Sequence, residues 1–304
     1  MTPPRLDEVI NLSDGRRLAY AEYGDANGKA VFLFHGLPGS RLSWGLLPGD
    51  PIPAGLRIIA PDRPGYGRSD AKPHRTLLDW AEDVEQLADA LGVADFAVVG
   101  VSGGGPGALA CAWKMPNRLT SVGIVSSPAP TDAPDVFKGM SKTNRFFINL
   151  AWRVPWLSTL NVRFLAKMIR RNPARYINSM KLKVHDVDRQ IVARPEIQEM
   201  LTQDFAEALR AGAEGMVEDM AANHGRSWGF PLREIKITVL IWICELDRSV
   251  PPAMGRYLGH MVPKAETTFV AGAGHLWILT HLREVLTAVQ LGTPKGTESM
   301  SVSG

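Results

Sequence analysis

Six strand-length segments, most of them unbroken apolar runs, constrain the fold of this chain more than any other feature. "AVFLFHG" (Ala30–Gly36), "LRIIAPD" (Leu56–Asp62), "DFAVVGVS" (Asp95–Ser102) and "LTSVGIVSS" (Leu119–Ser127) lie early; "IKITVLIWICELD" (Ile235–Asp247) and "AETTFVAGAGH" (Ala265–His275) lie late. A strand that is apolar without alternation is covered on both faces, as central strands of a parallel sheet are. Helical spacing fills the gaps. Leu77, Trp80, Ala81, Val84, Leu87, Ala88 and Leu91 form one apolar helix face. "GGPGALACAWKMP" reads as a helix that stops before Pro116, and "LREVLTAVQL" as a closing helix. This alternation predicts an α/β fold: a mostly parallel central sheet, flanked by helices, with right-handed crossovers.

Between about Pro128 and Gly229 the rhythm breaks. Helical segments rich in aromatic and basic residues replace the strands, and Pro155, Pro173 and Pro195 divide them. The expected organisation is a core of residues 1–127 and 230–292, a helical cap of residues 128–229 and a flexible tail of residues 293–304.

Composition narrows the function classes. Apolar residues make up 45% and charged residues 21% of the chain, which fits a globular protein and not a disordered or fibrous one. The net charge of +3 is too small to argue for nucleic acid. No stretch of about 18 uncharged apolar residues predicts a membrane span. The first residues lack the basic start and long apolar core of a secretory signal. Cys111 and Cys244 sit in apolar segments and read as buried thiols, with no zinc-type spacing. The expected setting is cytoplasmic, with no metal or cofactor and no implied oligomeric state.

The chemistry centres on Gly100-Val101-Ser102-Gly103-Gly104, a G-x-S-x-G pattern placed where a strand hands over to a helix. Such a tight turn thrusts the serine hydroxyl above the sheet. Gly100 and Gly104 allow the close approach of the two arms, and Pro106 suits the first helical turn. Neither a G-x-G-x-x-G nor a P-loop lysine accompanies it, so nucleotide binding is disfavoured. A serine needs a base and a site for an oxyanion. The turn in "FHGLPGS" can aim the Leu37 N–H at Ser102, with the Gly103 N–H as second donor. His275, in "GAGHLW", is the preferred base. Asp247, past the preceding strand, is the preferred carboxylate over Glu245 and Asp132, on the chain order Ser…Asp…His. His35 is more naturally a loop-shaping histidine than a catalytic one. His74, His185, His224, His260 and His281 suit surface or capping roles.

The ordered motifs "HGLPGS", "DRPGYGRSD", "GVSGGG", "ELDRSVP" and "GAGH" resemble the α/β-hydrolase superfamily over about Leu18 to Gln290. The resemblance implies Ser102 as nucleophile, Asp247 as acid, His275 as base and Leu37 and Gly103 as oxyanion donors. It also implies that the helical stretch is a cap. Serine at the elbow argues against the epoxide-hydrolase and haloalkane-dehalogenase branches, which use aspartate there. Cys244 stands where relatives often have glycine, and Gly107 where many carry an aromatic residue, which either enlarges the space beside the elbow or changes helix packing. "DRPGYGRSD" is expected to knit the loop beneath the oxyanion turn.

Candidate substrate-pocket residues are His35, Gly107, Phe146, Trp152, Trp156 and Trp277. From Lys138 to Arg194 thirteen basic residues face only Asp186 and Asp188. Either the aromatics pack the cap and the basic residues are solvated, or the aromatics line a pocket and the basic face attracts anionic substrates or a membrane surface. The expected activity is hydrolysis of esters of small to medium apolar acids through an acyl-serine. Alternatives on the same residues are C–C bond hydrolysis, lactonase or perhydrolase chemistry, an iminopeptidase-like activity drawing on Glu207, Glu214, Glu218 and Asp219, and a non-catalytic small-molecule receptor.

Overall fold

A computed structural model describes residues 3–49, 51–182 and 184–292. The expected tail and Lys183 lie outside these. Eight strands form one sheet: β1 (Arg5–Asn11), β2 (Arg17–Gly24), β3 (Lys29–Phe34), β4 (Leu56–Pro61), β5 (Phe96–Val101), β6 (Leu119–Val125), β7 (Val239–Cys244) and β8 (Ala265–Val270). Their spatial order is β1-β2-β4-β3-β5-β6-β7-β8. β2 pairs antiparallel with both β1 and β4, and every pair from β4 to β8 is parallel. The flanking helices are α1 (Leu77–Ala90), α2 (Gly105–Lys114), α9 (Pro252–Met261) and α10 (Ile278–Leu291). Between β6 and β7 come α3 (Lys142–Arg153), α4 (Pro155–Arg171), α5 (Pro173–Met180), α6 (Asp186–Val192), α7 (Pro195–Ala208) and α8 (Glu214–Met220).

The unbroken apolar runs are explained by two-sided burial. Phe32, Phe34, Phe96 and Val98 pack into one layer with Trp80 and Val84 of α1, Leu109 of α2 and Leu258 of α9. Their neighbours Val31, Leu33, Ala97 and Val99 point the other way, toward Trp44 and toward Leu282 and Val285 of α10. Each fully buried side chain of this size contributes about 1.5–3 kcal/mol. The loop after β3 goes to one face and α2 after β5 to the other, although β3 and β5 are neighbours. Divergence of this kind opens a crevice at the carboxyl ends of the two strands.

The two amino-terminal strands were not among the six expected. β2 carries Glu22, which is buried and held by Arg57 Nε at 2.9 Å and Nη2 at 3.0 Å, with Arg5 as a further partner. An inward charge interrupts the apolar pattern that marks the other strands. The signal that did exist was the Asp14-Gly15 pair between two alternating segments, a hairpin sign. In the insertion, Pro155, Pro173 and Pro195 each open a helix, where a missing N–H breaks no intrahelical bond.

Candidate active site

Ser102 sits at the hand-over from β5 to α2 with φ +51°, a left-handed conformation that is strained for a residue with a Cβ. The turn is possible because its arms nearly touch, a Cβ at Gly100 lying 2.6 Å from the Gly104 carbonyl oxygen, and because Gly104 fits against the end of β3, where a Cβ would lie 2.7 Å from the His35 carbonyl oxygen. The turn lifts the hydroxyl to His275, whose Nε2 is 3.0 Å from Ser102 Oγ. On the other side of the ring, Nδ1 donates to Asp247 Oδ2 at 2.7 Å. Asp247 is buried and fixed by its own loop, since Oδ1 accepts from the N–H groups of Ser249 at 2.7 Å and Val250 at 2.9 Å. Glu245 and Asp132 are exposed and remain outside this chain of hydrogen bonds. Cys244 closes β7 as a buried free thiol, and the loop beyond it still delivers Asp247 to His275.

Around the hydroxyl, Gly36, Leu37, Pro38, Ser102 and His275 are all partly open to solvent. The Leu37 amide lies beside Gly103, 3.6 Å from where a Cβ of that residue would stand. The peptide of Gly103 is anchored from the insertion, because Asn223 Nδ2 donates to its carbonyl at 3.0 Å. Arg63 braces the Leu37 turn from beneath by donating to the carbonyl oxygens of His35 and, at 2.8 Å, Gly36. Asp62 accepts from Arg41 N at 2.6 Å and Arg68 N at 3.0 Å, so the "DRPGYGRSD" loop knits this region together.

Several expected pocket residues are elsewhere. His35 is fully buried: Nδ1 donates to the Gly36 carbonyl at 2.9 Å, and Nε2 accepts from Arg63 N–H at 3.3 Å. Burial and the Arg63 charge push its pKa well down, so the ring is neutral and shapes the loop. Gly107 opens no space for substrate, because a Cβ there would lie 2.6 Å from the Trp80 ring; its role is to let α1 and α2 pack closely. Trp277 is buried and stacks on His281, with centroids 4.5 Å apart. Phe146, Trp152 and Trp156 face solvent on α3 and α4. His224, expected at the surface or in a cap, is buried, and its pKa is pushed down to about 4 by burial.

Three carboxylates reach down from the insertion: Asp188 and Asp204, which sequence reasoning did not place at the site, and Asp219, which it considered only as an amine-binding group. Asp188, in α6, accepts from the backbone N–H of His275 at 2.9 Å and of Leu276 at 2.8 Å. Asp204, in α7, accepts from Ser40 N at 2.9 Å and Ser40 Oγ at 2.7 Å. Asp219, in α8, lies between Arg63, at 2.7 Å, and Arg75, and also accepts from Tyr66 Oη at 2.9 Å. Burial of the His275 imidazole favours its neutral form. Asp247, by charge and hydrogen bond, and Asp188, by charge, outweigh this and raise its pKa.

A mostly parallel sheet with helices on both faces and a strand-to-helix turn at the carboxyl end of a central strand define the class: an α/β-hydrolase fold. A family model described as the alpha/beta hydrolase family matches residues 30–288, and the chain belongs to that family. Over 292 residues it is 24% identical to bifunctional epoxide hydrolase 2 of Sus scrofa, covering 88% of this chain and 51% of that protein. A 112-residue segment, 36% of this chain, is 38% identical to a putative carbamate hydrolase RutD of Variovorax paradoxus and covers 42% of it. The chain thus spans about half the length, or less, of these curated relatives. A thermophilic esterase from Thermogutta terrifontis superposes with TM-score 0.67 at 23% identity, over 94% of this chain and 97% of that one. A bromoperoxidase from Bacillus anthracis gives 0.70 at 20%, over 94% and 99%. At these identities the likeness carries the fold.

Proposed function

We propose that the protein is a serine hydrolase that cleaves carboxylic esters of small to medium apolar acids through an acyl-Ser102 intermediate. His275 Nε2 takes the proton of Ser102 Oγ as the oxygen attacks the ester carbonyl. The N–H groups of Leu37 and Gly103 receive the oxyanion, and Asp247 orients and stabilises the imidazolium. His275 then passes the proton to the leaving alcohol. The same ring activates the water that releases the acid and regenerates Ser102.

The observation that carries this reading is the unbroken path Ser102 Oγ–His275 Nε2 at 3.0 Å and His275 Nδ1–Asp247 Oδ2 at 2.7 Å. The nucleophile is a serine, where the epoxide-hydrolase branch uses aspartate, so epoxide opening is disfavoured despite the Sus scrofa relative. The iminopeptidase-like reading loses its amine-binding groups. Glu207, Glu214, Glu218 and Asp219 pair with Arg41, Arg163, Arg226 and Arg63 respectively.

Fluorophosphonate labelling with peptide mapping, run beside turnover of short-chain aryl esters, tests the proposal. Label is expected on Ser102, and Ser102→Ala is expected to abolish labelling and turnover while melting at the wild-type temperature. Unchanged ester turnover in Ser102→Ala would sink it. Turnover of lactones or 1,3-diketones in preference to esters would reassign the substrate class.

A further inference from the structure

Helix α4 is apolar on two opposite sides. Ser158, Val162, Ala166 and Ile169 are buried against the rest of the protein. Trp156, Leu160, Phe164 and Met168, displaced by two residues and so by about 200° around the helix, face solvent. Trp156 is 66% and Phe164 64% exposed, more than a surface helix needs to leave open. The stripe recurs every four residues and runs nearly the full 17-residue helix, about 20–25 Å. Phe146 and Trp152 on the adjoining α3 are also exposed.

The charge around this stripe has one sign. From Lys142 to His185 the chain contains no Asp or Glu. On α4 Arg163 and Arg170 border the stripe on one side, and Lys167 and Arg171 are interleaved with it. Arg163 meets Glu214 of α8 at 3.2 Å, whereas Lys167, Arg170 and Arg171 form no ion pair among the described residues. No described helix is long and apolar enough to cross a membrane. An aromatic and aliphatic stripe with basic flanks is the pattern of a helix that lies in the headgroup region of a bilayer. A second copy of the chain fits less well, because a two-fold contact would set this basic face against itself with no acid on α3–α5 to offset it.

We infer that the outer face of α3 and α4 docks on an anionic lipid surface, with Trp156, Leu160, Phe164 and Met168 entering the headgroup layer and Lys167, Arg170 and Arg171 meeting lipid phosphates. The inference stands apart from the chemistry at Ser102, since none of these side chains touches that site.

Co-sedimentation of the full chain with phosphatidylcholine vesicles, with and without phosphatidylglycerol, tests it. The protein is expected to partition to the anionic vesicles at low salt, to leave them as salt rises, and to show a blue-shifted tryptophan emission when bound. Leu160→Glu/Phe164→Glu is expected to abolish partitioning. Lys167→Gln/Arg171→Gln, which leaves the apolar stripe intact, is expected to weaken it about 25-fold, at roughly fivefold per basic residue. Thermal melts establish that each variant folds, and the glutamine pair carries the test if the glutamate pair does not. No binding to anionic vesicles at low salt overturns the proposal, as does wild-type binding by the variants that fold. A wild-type dimer that Leu160→Glu/Phe164→Glu splits, without vesicle binding, assigns the face to a second copy instead.

Discussion

Asp188→Asn separates a structural role of the insertion from a chemical one. The Asp188 carboxylate gives one oxygen to the N–H of His275 and the other to the N–H of Leu276, so it fixes the backbone from which the imidazole projects. Asparagine offers a single acceptor, and its amide group turns a donor toward one of the two N–H groups. Leaving that buried donor unpaired costs about 1–3 kcal/mol. For a chain of this size that corresponds to a fall in melting temperature of about 2–5 °C. A displacement of the ring by about 1 Å lowers the rate on the order of 100-fold, so kcat is expected to fall by about 10–100-fold. KM for a small ester should stay within about threefold, because Asp188 binds backbone and not substrate. The charge adds an independent readout. Asp188 helps to raise the His275 pKa, and in the proposed mechanism His275 must be neutral to accept the Ser102 proton. Wild-type activity therefore rises with pH through that raised pKa, and removing the charge moves this acid limb to lower pH. The assays are thermal melts and kcat and KM across pH. An unchanged kcat, or an acid limb that stays in place or moves to higher pH, would refute the reasoning.

Two further carboxylates give predictions of different kinds. Burial, working against hydrogen bonds from Ser40 and Ser43, pushes the Asp204 pKa up to about 7, so the folded chain holds a proton that the unfolded chain has already lost. This group's contribution is full below about pH 4 and is lost as pH rises through about 7. Urea midpoints of Asp204→Asn should lack that part of the decline; a wild-type slope in the variant would remove Asp204 as its source. Asp219→Ala leaves the buried guanidinium groups of Arg63 and Arg75 without their shared carboxylate, a change expected to destabilise by about 3–5 kcal/mol. If denaturant titration instead shows less than about 1 kcal/mol, the two arginines have found other partners.

The parts of this molecule legible in its sequence are those fixed by local pattern. β3 to β7 announce themselves because burial on both faces leaves little room for polar alternation, whereas β8, the half-exposed edge strand, keeps Glu266, Thr267 and Thr268. Ser102, His275 and Asp247 could be named because each follows an apolar run, and in a parallel sheet all such ends lie along one edge. β2 was obscured by Glu22, whose charge is answered by Arg57 from β4, some 35 residues further along the chain. Phe146, Trp152 and Trp156 looked like pocket lining because helical spacing reports that a face is apolar, not which way it turns. Between the two readings of Gly107 the sequence alone does not decide, because the neighbour that makes it a packing residue is Trp80 of another helix, and no local pattern records that contact.

The insertion was the least legible region, and its three aspartates show why. Asp188, Asp204 and Asp219 occupy successive helices and reach the His275 loop, Ser40 and the arginine that braces the Leu37 turn. In sequence, Asp188 is one of two acids in a strongly basic stretch, and its value there is only as charge balance. Its actual partners are two backbone N–H groups 87 and 88 residues away, and backbone donors carry no residue type to match. The one trace available was scarcity: an acid kept amid thirteen basic residues and then buried has a definite partner. Because each of these loops is tied to a different helix, the insertion cannot lift away without breaking charged or backbone hydrogen bonds at the His275 loop, the Leu37 turn or both. Changes on the outer face of α4, which packs on α3, α7 and α8, therefore reach the site through these ties and through Asn223, which follows α8 and holds the Gly103 carbonyl.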